Sequence, residues 1–349
     1  MASLGEISPR DARTQAQMDV LLRAEGIRRD KNLDYSCGVF DDDGSLIAAG
    51  SSFKNTLRCL AVSSEHRGEG LMNQVVSHLL EREIQQGYSH VFLYTKEKNA
   101  AIFQDLGFYE IARVENELVF LENRRDGFAR YLKRLEQTRR DGRCAAVVMN
   151  ANPFTLGHRY LVEQAAAEND WLHLFLLSEE AGPIPFAVRK KLVQEGIADL
   201  KNVILHETGP YIISSATFPS YFLRDEDAAI LAHAKLDLAV FGKIAAVLGV
   251  TARYAGEEKS SHVTALYNES MAELLPKQGI RFQEVPRLTI GGETVSASTV
   301  RQAIHDGHPE RIAFMLPEST KRYFDGAEAA PVLSAICAME EARHYRCGK

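Results

Sequence analysis

Thr155, Gly157 and His158 stand close together in the stretch "MNANPFTLGHRYL", Met149 to Leu161. The apolar run "CAAVV" precedes them and a helically spaced segment follows, so they fall where a buried strand gives way to a helix. That place suits anion chemistry. A helix start exposes unpaired N–H groups and the positive end of the macrodipole. Gly157 has no Cβ to keep a ligand from the backbone. His158, in the first turn, can set an imidazole N–H on a phosphate oxygen and stabilise charge as it builds on a phosphoryl group in transfer. Taken alone, T-x-G-H reads equally well as a helix cap followed by a surface histidine.

A second segment shifts that balance. "VSASTVRQAIHDG", Val295 to Gly307, sets the hydroxyls of Ser296, Ser298 and Thr299 at the start of a helix and Arg301 one turn in. Hydroxyl and backbone donors there make a second phosphate cradle, and an arginine supplies a cationic fork. Each segment has a bland reading as a capped helix. Two anion-binding helix starts in one α/β unit are less often accidental.

The elements around them must form a sheet that brings the two together. From Cys144 onward, apolar strands ("CAAVVM", "WLHLFLLS", "NVILHE", "TARYAG", "IRFQEVPRL") alternate with helices ("HRYLVEQAAAE", "FAVRKKLVQEGIADL", "VTALYNESMAELLP"). Nearly continuous apolar strands of this kind predict a parallel sheet covered on both faces. Its ligand belongs beyond the carboxyl ends of the strands. Residues 1–122 read differently: strands around an acidic "DDDG" turn, the amphipathic helix "LMNQVVSHLLEREIQQG", then strand, helix and the strand-like "YEIARVENELVFL". That order suits a smaller mixed α+β domain. Between them, residues 123–143 carry eight cations against Asp126, Glu136 and Asp141, with Phe128, Tyr131, Leu132 and Leu135 on a narrow apolar stripe. This is a basic linker helix, either simply solvated or a landing surface for an acidic partner. The expected domains are therefore 1–122, a 123–143 linker, and 144–349.

The bulk numbers set limits. The 349 residues carry 41 Lys and Arg against 47 Asp and Glu, a net charge of −6, which argues against general nucleic-acid binding. Five widely spaced cysteines without a C-x-x-C pair fit a reducing compartment, with neither disulfide framework nor zinc site. The N-terminus lacks an apolar core segment and no apolar run approaches a membrane span, so the expected location is the cytoplasm.

The first domain holds one more loop of interest. "SSEHRGEGLMNQVV" places Arg67, Gly68 and Gly70 between a strand and a helix, where exposed N–H groups can hold a pyrophosphate. A lone G-x-G is weak evidence by itself.

T-x-G-H paired with a late I-S-x-[ST]-x-x-R, in which Val295 replaces the isoleucine, resembles the signature of the nucleotidylyltransferase superfamily, a Rossmann-like fold whose members act at the α-phosphate of a nucleoside triphosphate. The longer strings "NANPFTLGHRYLVEQA", "SSATFPSYFL", "GEE" and "VTALYNESMAELLP" are similar to the citrate lyase ligase family, over residues 35 to 325 or so. "SSEHRGEGL" together with "KNAAIFQDLGFYEI" resembles the GNAT acetyltransferase fold, whose ligand is acetyl-CoA. The resemblance implies a GNAT-like domain followed by an α/β, parallel-sheet nucleotidylyltransferase domain. It implies that acetate is activated with ATP and Mg²⁺ as acetyl-adenylate. The acetyl group then passes to the thiol of a dephospho-CoA-like group on the acyl carrier subunit of citrate lyase. By matching position, Thr155, His158 and Arg301 take the catalytic roles. Asn150, Asn152, Phe154, Gly157, Arg189, Gly256, Glu257, Ser296, Ser298 and Thr299 join them around the nucleotide, and Arg67, Gly68, Gly70 and Asn99 hold the CoA-like arm.

Four departures stand out. Lys259 and Ser260 replace an expected Pro-Phe after "GEE", and the loop after the second strand has no lysine before Lys190, leaving Arg189 as the substitute. Glu65 stands where GNAT loops begin with Gln or Arg, and Phe103 where a proton-donating tyrosine is common. The first domain therefore reads as holding a CoA-like arm rather than transferring acetyl from CoA. Two alternatives stay open on the sequence alone: a nucleotidylyltransferase that makes a dinucleotide or CoA-type cofactor, and a CoA or adenylate sensor that is not an enzyme.

Overall fold

The computed structural model describes residues 2–347 apart from 181, 214–217, 220, 222, 224, 259 and 260. Contacts divide the chain into two compact units, Met1–Tyr131 with Thr217–Val240, and Leu132–Ala216 with Phe241–Lys349. The sequence pattern placed 217–240 inside 144–349. Its described residues pack instead with the first unit: the Arg28 N–H donates to the Tyr221 carbonyl at 2.7 Å, Phe218 meets Tyr94 edge-on, and Lys235 pairs with Glu117.

The first unit is built on a seven-stranded sheet. Its elements are β1 (Ser3–Glu6), α1 (Ala12–Ala24), β2 (Tyr35–Phe40), β3 (Leu46–Phe53), β4 (Thr56–Val62), α2 (Leu71–Gln85), β5 (Phe92–Lys96), α3 (Ala100–Asp105), β6 (Tyr109–Val114) and β7 (Leu118–Glu122). The strand order is β1-β2-β3-β4-β5-β7-β6. The stretch "YEIARVENELVFL", expected as one strand, is two, because Asn116 takes a left-handed turn at φ 61° and reverses the chain. Helix α2 buries Val75, Val76 and Leu79 against the sheet, and Gly50 admits them: a Cβ there would lie 2.4 Å from Val75 Cγ1.

The middle of that sheet is split at one end. β4 and β5 are parallel and pair only at Thr56–Phe92 and Leu57–Leu93. Past those residues the two strands part. Their facing backbone edges are left without a ladder.

Helix α4 (Gly127–Glu136) comes next along the chain, and the second unit alternates strand and helix. It contains β8 (Cys144–Met149), α5 (Leu156–Glu168), β9 (Trp171–Leu176), α6 (Phe186–Gly196), β10 (Val203–Glu207), the end of α7 (Glu226–Leu248), β11 (Val250–Gly256), α8 (His262–Lys277) and β12 (Arg281–Val285). A short hairpin, β13 (Thr289–Ile290) with β14 (Glu293–Thr294), leads into α9 (Ala297–His305), α10 (Glu318–Asp325) and α11 (Ala330–Cys347). The sheet order is β10-β9-β8-β11-β12 and every pairing is parallel. The order reverses direction between β8 and β11, so a crevice opens beyond their carboxyl ends. Val147, Leu172, Leu174, Ala252 and Tyr254 fill the sheet's interior beside Val162, Leu192 and Val300 from the helices. Among the described residues, no helix is long and apolar enough to cross a membrane.

Candidate active site

The loop leaving β8 enters the crevice and is anchored at once. Phe154 is wholly buried; Gly196 gives it room, since a Cβ there would lie 2.4 Å from its ring, and its carbonyl accepts from the Thr320 hydroxyl at 2.8 Å. Phe154 thus pins the loop to the core and does not line a ligand site, contrary to its sequence assignment. Thr155 caps α5: its hydroxyl oxygen accepts from the His158 N–H at 3.4 Å.

The His158 ring answers that cap. Its Nδ1 lies 3.1 Å from the Thr155 amide nitrogen and 2.9 Å from the Thr155 hydroxyl. A backbone N–H only donates, so Nδ1 is the bare acceptor and the ring proton sits on Nε2. Burial, then the charges of Arg287 and Arg301, pull the imidazole from its ordinary 6.5 down to about 4. At neutral pH His158 is an uncharged donor held at one orientation.

The second helix start meets the first. Ser296 caps α9 by accepting from the Thr299 N–H at 3.1 Å, and Ser298 and Thr299 remain exposed. A Cβ on Gly157 would lie 3.3 Å from the Val295 carbonyl oxygen. The glycine therefore makes room for the other loop's backbone, in a place the sequence pattern had reserved for a ligand. Arg301 closes the junction. It is 8% exposed, and its Nη1, Nη2 and Nε donate to the Asn152 carbonyl at 2.5 Å, the Ser298 hydroxyl at 3.3 Å and Glu340 at 3.2 Å. Glu340, from α11, carried no signal in the sequence.

Arg189 has a different duty from the one assigned to it. It is 1% exposed, and its donors run to the carbonyls of Ile184, Asn150, Leu177 and Glu179 and to the Asn150 side chain. It ties the loops after β8 and β9 together and presents no fork to a phosphate. Asn150 is exposed and Asn152 is buried. The Asn152 amide nitrogen fills the space where Gly182 lacks a side chain, and its Oδ1 is a buried acceptor without a partner. Such an acceptor fits a ligand's N–H or O–H.

The end of β11 supplies the remaining wall. Nothing crowds Gly256, and its carbonyl accepts from Asn268 at 3.1 Å. The Glu257 carbonyl accepts from Arg287 Nε at 2.8 Å, and Arg287 also pairs with Glu258. Arg287, missed in the sequence, brings positive charge close to His158. Lys259 and Ser260 lie outside the described residues, as does most of "SSATFPSYFL".

The first unit has a cavity of its own, about 640 Å³, between the diverging ends of β4 and β5. Arg67, Gly68, Gly70 and Asn99, the residues assigned to a CoA-like arm, all line it, together with Leu60, Val62, Ile102 and Phe103. Gly68 and Gly70 hold φ of 88° and 76°, a backbone only glycine takes without strain.

Comparison with known proteins agrees with these two units. Residues 144–324 match the family model for the citrate lyase ligase C-terminal domain, and residues 6–109 match that of the acetyltransferase (GNAT) family. A citrate pro-3S-lyase ligase of Klebsiella pneumoniae is 40% identical over 281 residues, covering 79% of this chain and 82% of that protein. Its counterpart in Escherichia coli (strain K12) is 36% identical over 312 residues, covering 84% and 86%. Among solved structures, a GNAT family N-acetyltransferase from Escherichia coli in complex with CoA shares 20% identity at a TM-score of 0.27, covering 36% of this chain and 83% of that one.

Proposed function

The chain belongs to the citrate lyase ligase family, and from that premise we propose that it activates acetate with ATP and acetylates a thiol on the acyl carrier subunit of citrate lyase. The observation that carries this reading is the junction of the two helix starts, with Gly157 against Val295 and Arg301 bonded to Asn152. It gathers the donors of α5 and α9 at the crevice where an α/β sheet takes its ligand.

In this reading an acetate oxygen attacks the α-phosphorus of ATP. The bond to the β-phosphate oxygen breaks, and pyrophosphate leaves with the electron pair. His158 donates from Nε2 to the oxygens on which charge accumulates. Its depressed basicity makes it a fixed hydrogen-bond donor rather than a proton source. The hydroxyls of Ser298 and Thr299 and the free N–H groups of α9 face the leaving phosphates. A Mg²⁺ ion brought by the triphosphate would neutralise part of the phosphate charge, and no carboxylate cluster among the described residues would be required to hold it. Arg301 holds the two loops in register. The carrier's thiolate then attacks the acetyl carbonyl, AMP departs, and the thioester forms. No nucleophile from this chain is needed, because acetate supplies its own.

ATP–pyrophosphate exchange tests the reading. Exchange that requires acetate is the expected result. Exchange that needs a phosphorylated cosubstrate would make the protein a cofactor-forming nucleotidylyltransferase, and ATP binding without exchange would make it a sensor.

A further inference from the structure

The 640 Å³ cavity of the first unit has one wall that comes from far downstream in the chain, Tyr221. It belongs to the excursion Thr217–Val240, which packs with the first unit although the chain before and after it belongs to the second. It also lies outside residues 6–109, which match the acetyltransferase family, so this wall is an addition to that fold.

The position of Tyr221 follows from what holds it. Strand β4 bulges beside the gap: Ala49 pairs with Ala61 and Ser51 with Arg58, so Cys59 and Leu60 stand opposite Gly50 alone, with Cys59 at φ 52°. The backbone N–H of Cys59 bonds to the Tyr221 hydroxyl oxygen. Cys59 is two residues past Leu57, the last of β4 to pair with β5, so the hydroxyl sits where the strands begin to part. The Arg28 N–H donates to the Tyr221 carbonyl at 2.7 Å and its Nη2 to the Leu223 carbonyl at 2.9 Å. Phe218 meets the Tyr94 ring edge-on at 5.5 Å between centroids, and Tyr94, next after Leu93 on β5, stacks on Phe120 at 4.4 Å. Tyr221 is buried and held at both ends, which makes its ring a fixed surface at the narrow end of the cavity. The wide end lies beyond Val62, where Arg67 pairs with Glu25 and leads into Gly68 and Gly70.

We propose that Tyr221 is the floor of this cavity and a specificity residue: it leaves room for a free thiol or its acetyl thioester and turns away longer acyl thioesters. The proposal rests on the reading of the first unit as the holder of a CoA-like arm, and adds what the reacting end of that arm is permitted to carry. With its phosphates at the glycine loop, such an arm points its thiol towards Tyr221. Each further methylene on the thiol must then displace a buried ring or draw the arm back towards the mouth. Selection comes from that clash and not from an added attraction.

The test is calorimetric titration of the full-length protein with dephospho-CoA and its acetyl, butyryl and hexanoyl thioesters. For the wild type, dephospho-CoA and the acetyl thioester should bind within about threefold of each other, and the hexanoyl thioester at least about tenfold more weakly. Tyr221→Ala should bring the hexanoyl thioester to within about threefold of the acetyl one. Tyr221→Leu shortens the wall without removing it, so it should give part of that gain, and it serves if the alanine variant folds poorly. Tyr221→Phe keeps the ring and should keep the wild-type order. A dependence on acyl length that is absent from the wild type, or the same in the wild type and the shortened variants, would overturn the role of Tyr221 and leave the thiol-arm reading standing. Failure of dephospho-CoA to bind either the wild type or Tyr221→Phe would overturn both.

Discussion

The Arg301 Nη1 atom donates to the carbonyl oxygen of Asn152 at 2.5 Å, joining two residues 149 positions apart. The same guanidinium holds Ser298 and Glu340, so one side chain fixes both helix starts and the C-terminal helix to each other. Glu340 is 4% exposed, which makes the ion pair a buried one.

Arg301→Ala should therefore cost stability as well as activity. Breaking a buried pair from one side costs about 3–5 kcal/mol, and acetate-dependent pyrophosphate exchange should fall by about 100-fold or more as the loops lose register. Adding Glu340→Gln should return part of the melting temperature, because it removes a buried carboxylate that has lost its Arg301 partner, while exchange stays low. A double variant no more stable than Arg301→Ala would show that the pair is not what holds this region.

Gly157→Ala tests the loop junction with little change to the core. The added methyl meets the Val295 carbonyl at 3.3 Å, so the two loops must separate by a few tenths of an ångström. The expected outcome is a KM for ATP raised about tenfold with the melting temperature shifted only slightly. An unchanged KM would mean that the junction does not shape the nucleotide site.

His158 makes a kinetic prediction and a stability prediction. His158→Ala should lower kcat by about 100- to 1,000-fold with ATP binding nearly intact, as expected when a donor acts on the transition state. His158→Gln, which keeps a neutral N–H, should retain more. Between pH 6 and 8 no kinetic limb should belong to this residue, because its folded value is about 4.

The stability prediction comes from burial. His158 and His173 are pulled to about 4 and His206 to about 3, each chiefly by desolvation. The unfolded chain binds protons first, so the stability these groups contribute is complete above about 6.5 and is lost as pH falls toward 4. Each should cost on the order of 1–2 kcal/mol by pH 5, seen as a falling urea midpoint. A midpoint that does not move between pH 7 and 5 would contradict the three neutral imidazoles.

Arg189→Met should lower stability by about 3 kcal/mol or more, since each buried acceptor left without a donor costs about 1–3 kcal/mol. The KM for ATP of the protein that remains folded should stay within about threefold. A large rise in KM with normal stability would return Arg189 to the phosphates.

The alternation of strand and helix from Cys144, and the two capped helix starts, were legible because they are local: apolar runs, a Thr or Ser at the cap, and a glycine in the first turn. What escaped the sequence is long-range. Glu340 meets Arg301 from 39 positions away, and Glu25 meets Arg67 from 42, with nothing in either local pattern to announce the pairing. Phe154 and Arg189 were misassigned for a related reason. An aromatic or an arginine beside a phosphate loop looks like a ligand contact until its burial is known, and both proved to be 0–1% exposed. The sequence reserved Gly157 for the close approach of a ligand, and in the structure the backbone that approaches it is the protein's own, at Val295.

The manner in which Arg189 is held has an evolutionary consequence. Its hydrogen bonds to Leu177 and Glu179 go to their peptide oxygens, which every amino acid possesses. Substitution at those two positions can change what the loop displays while leaving its frame in place. A library that varies them and spares the arginine should therefore yield folded proteins that differ in what this loop displays.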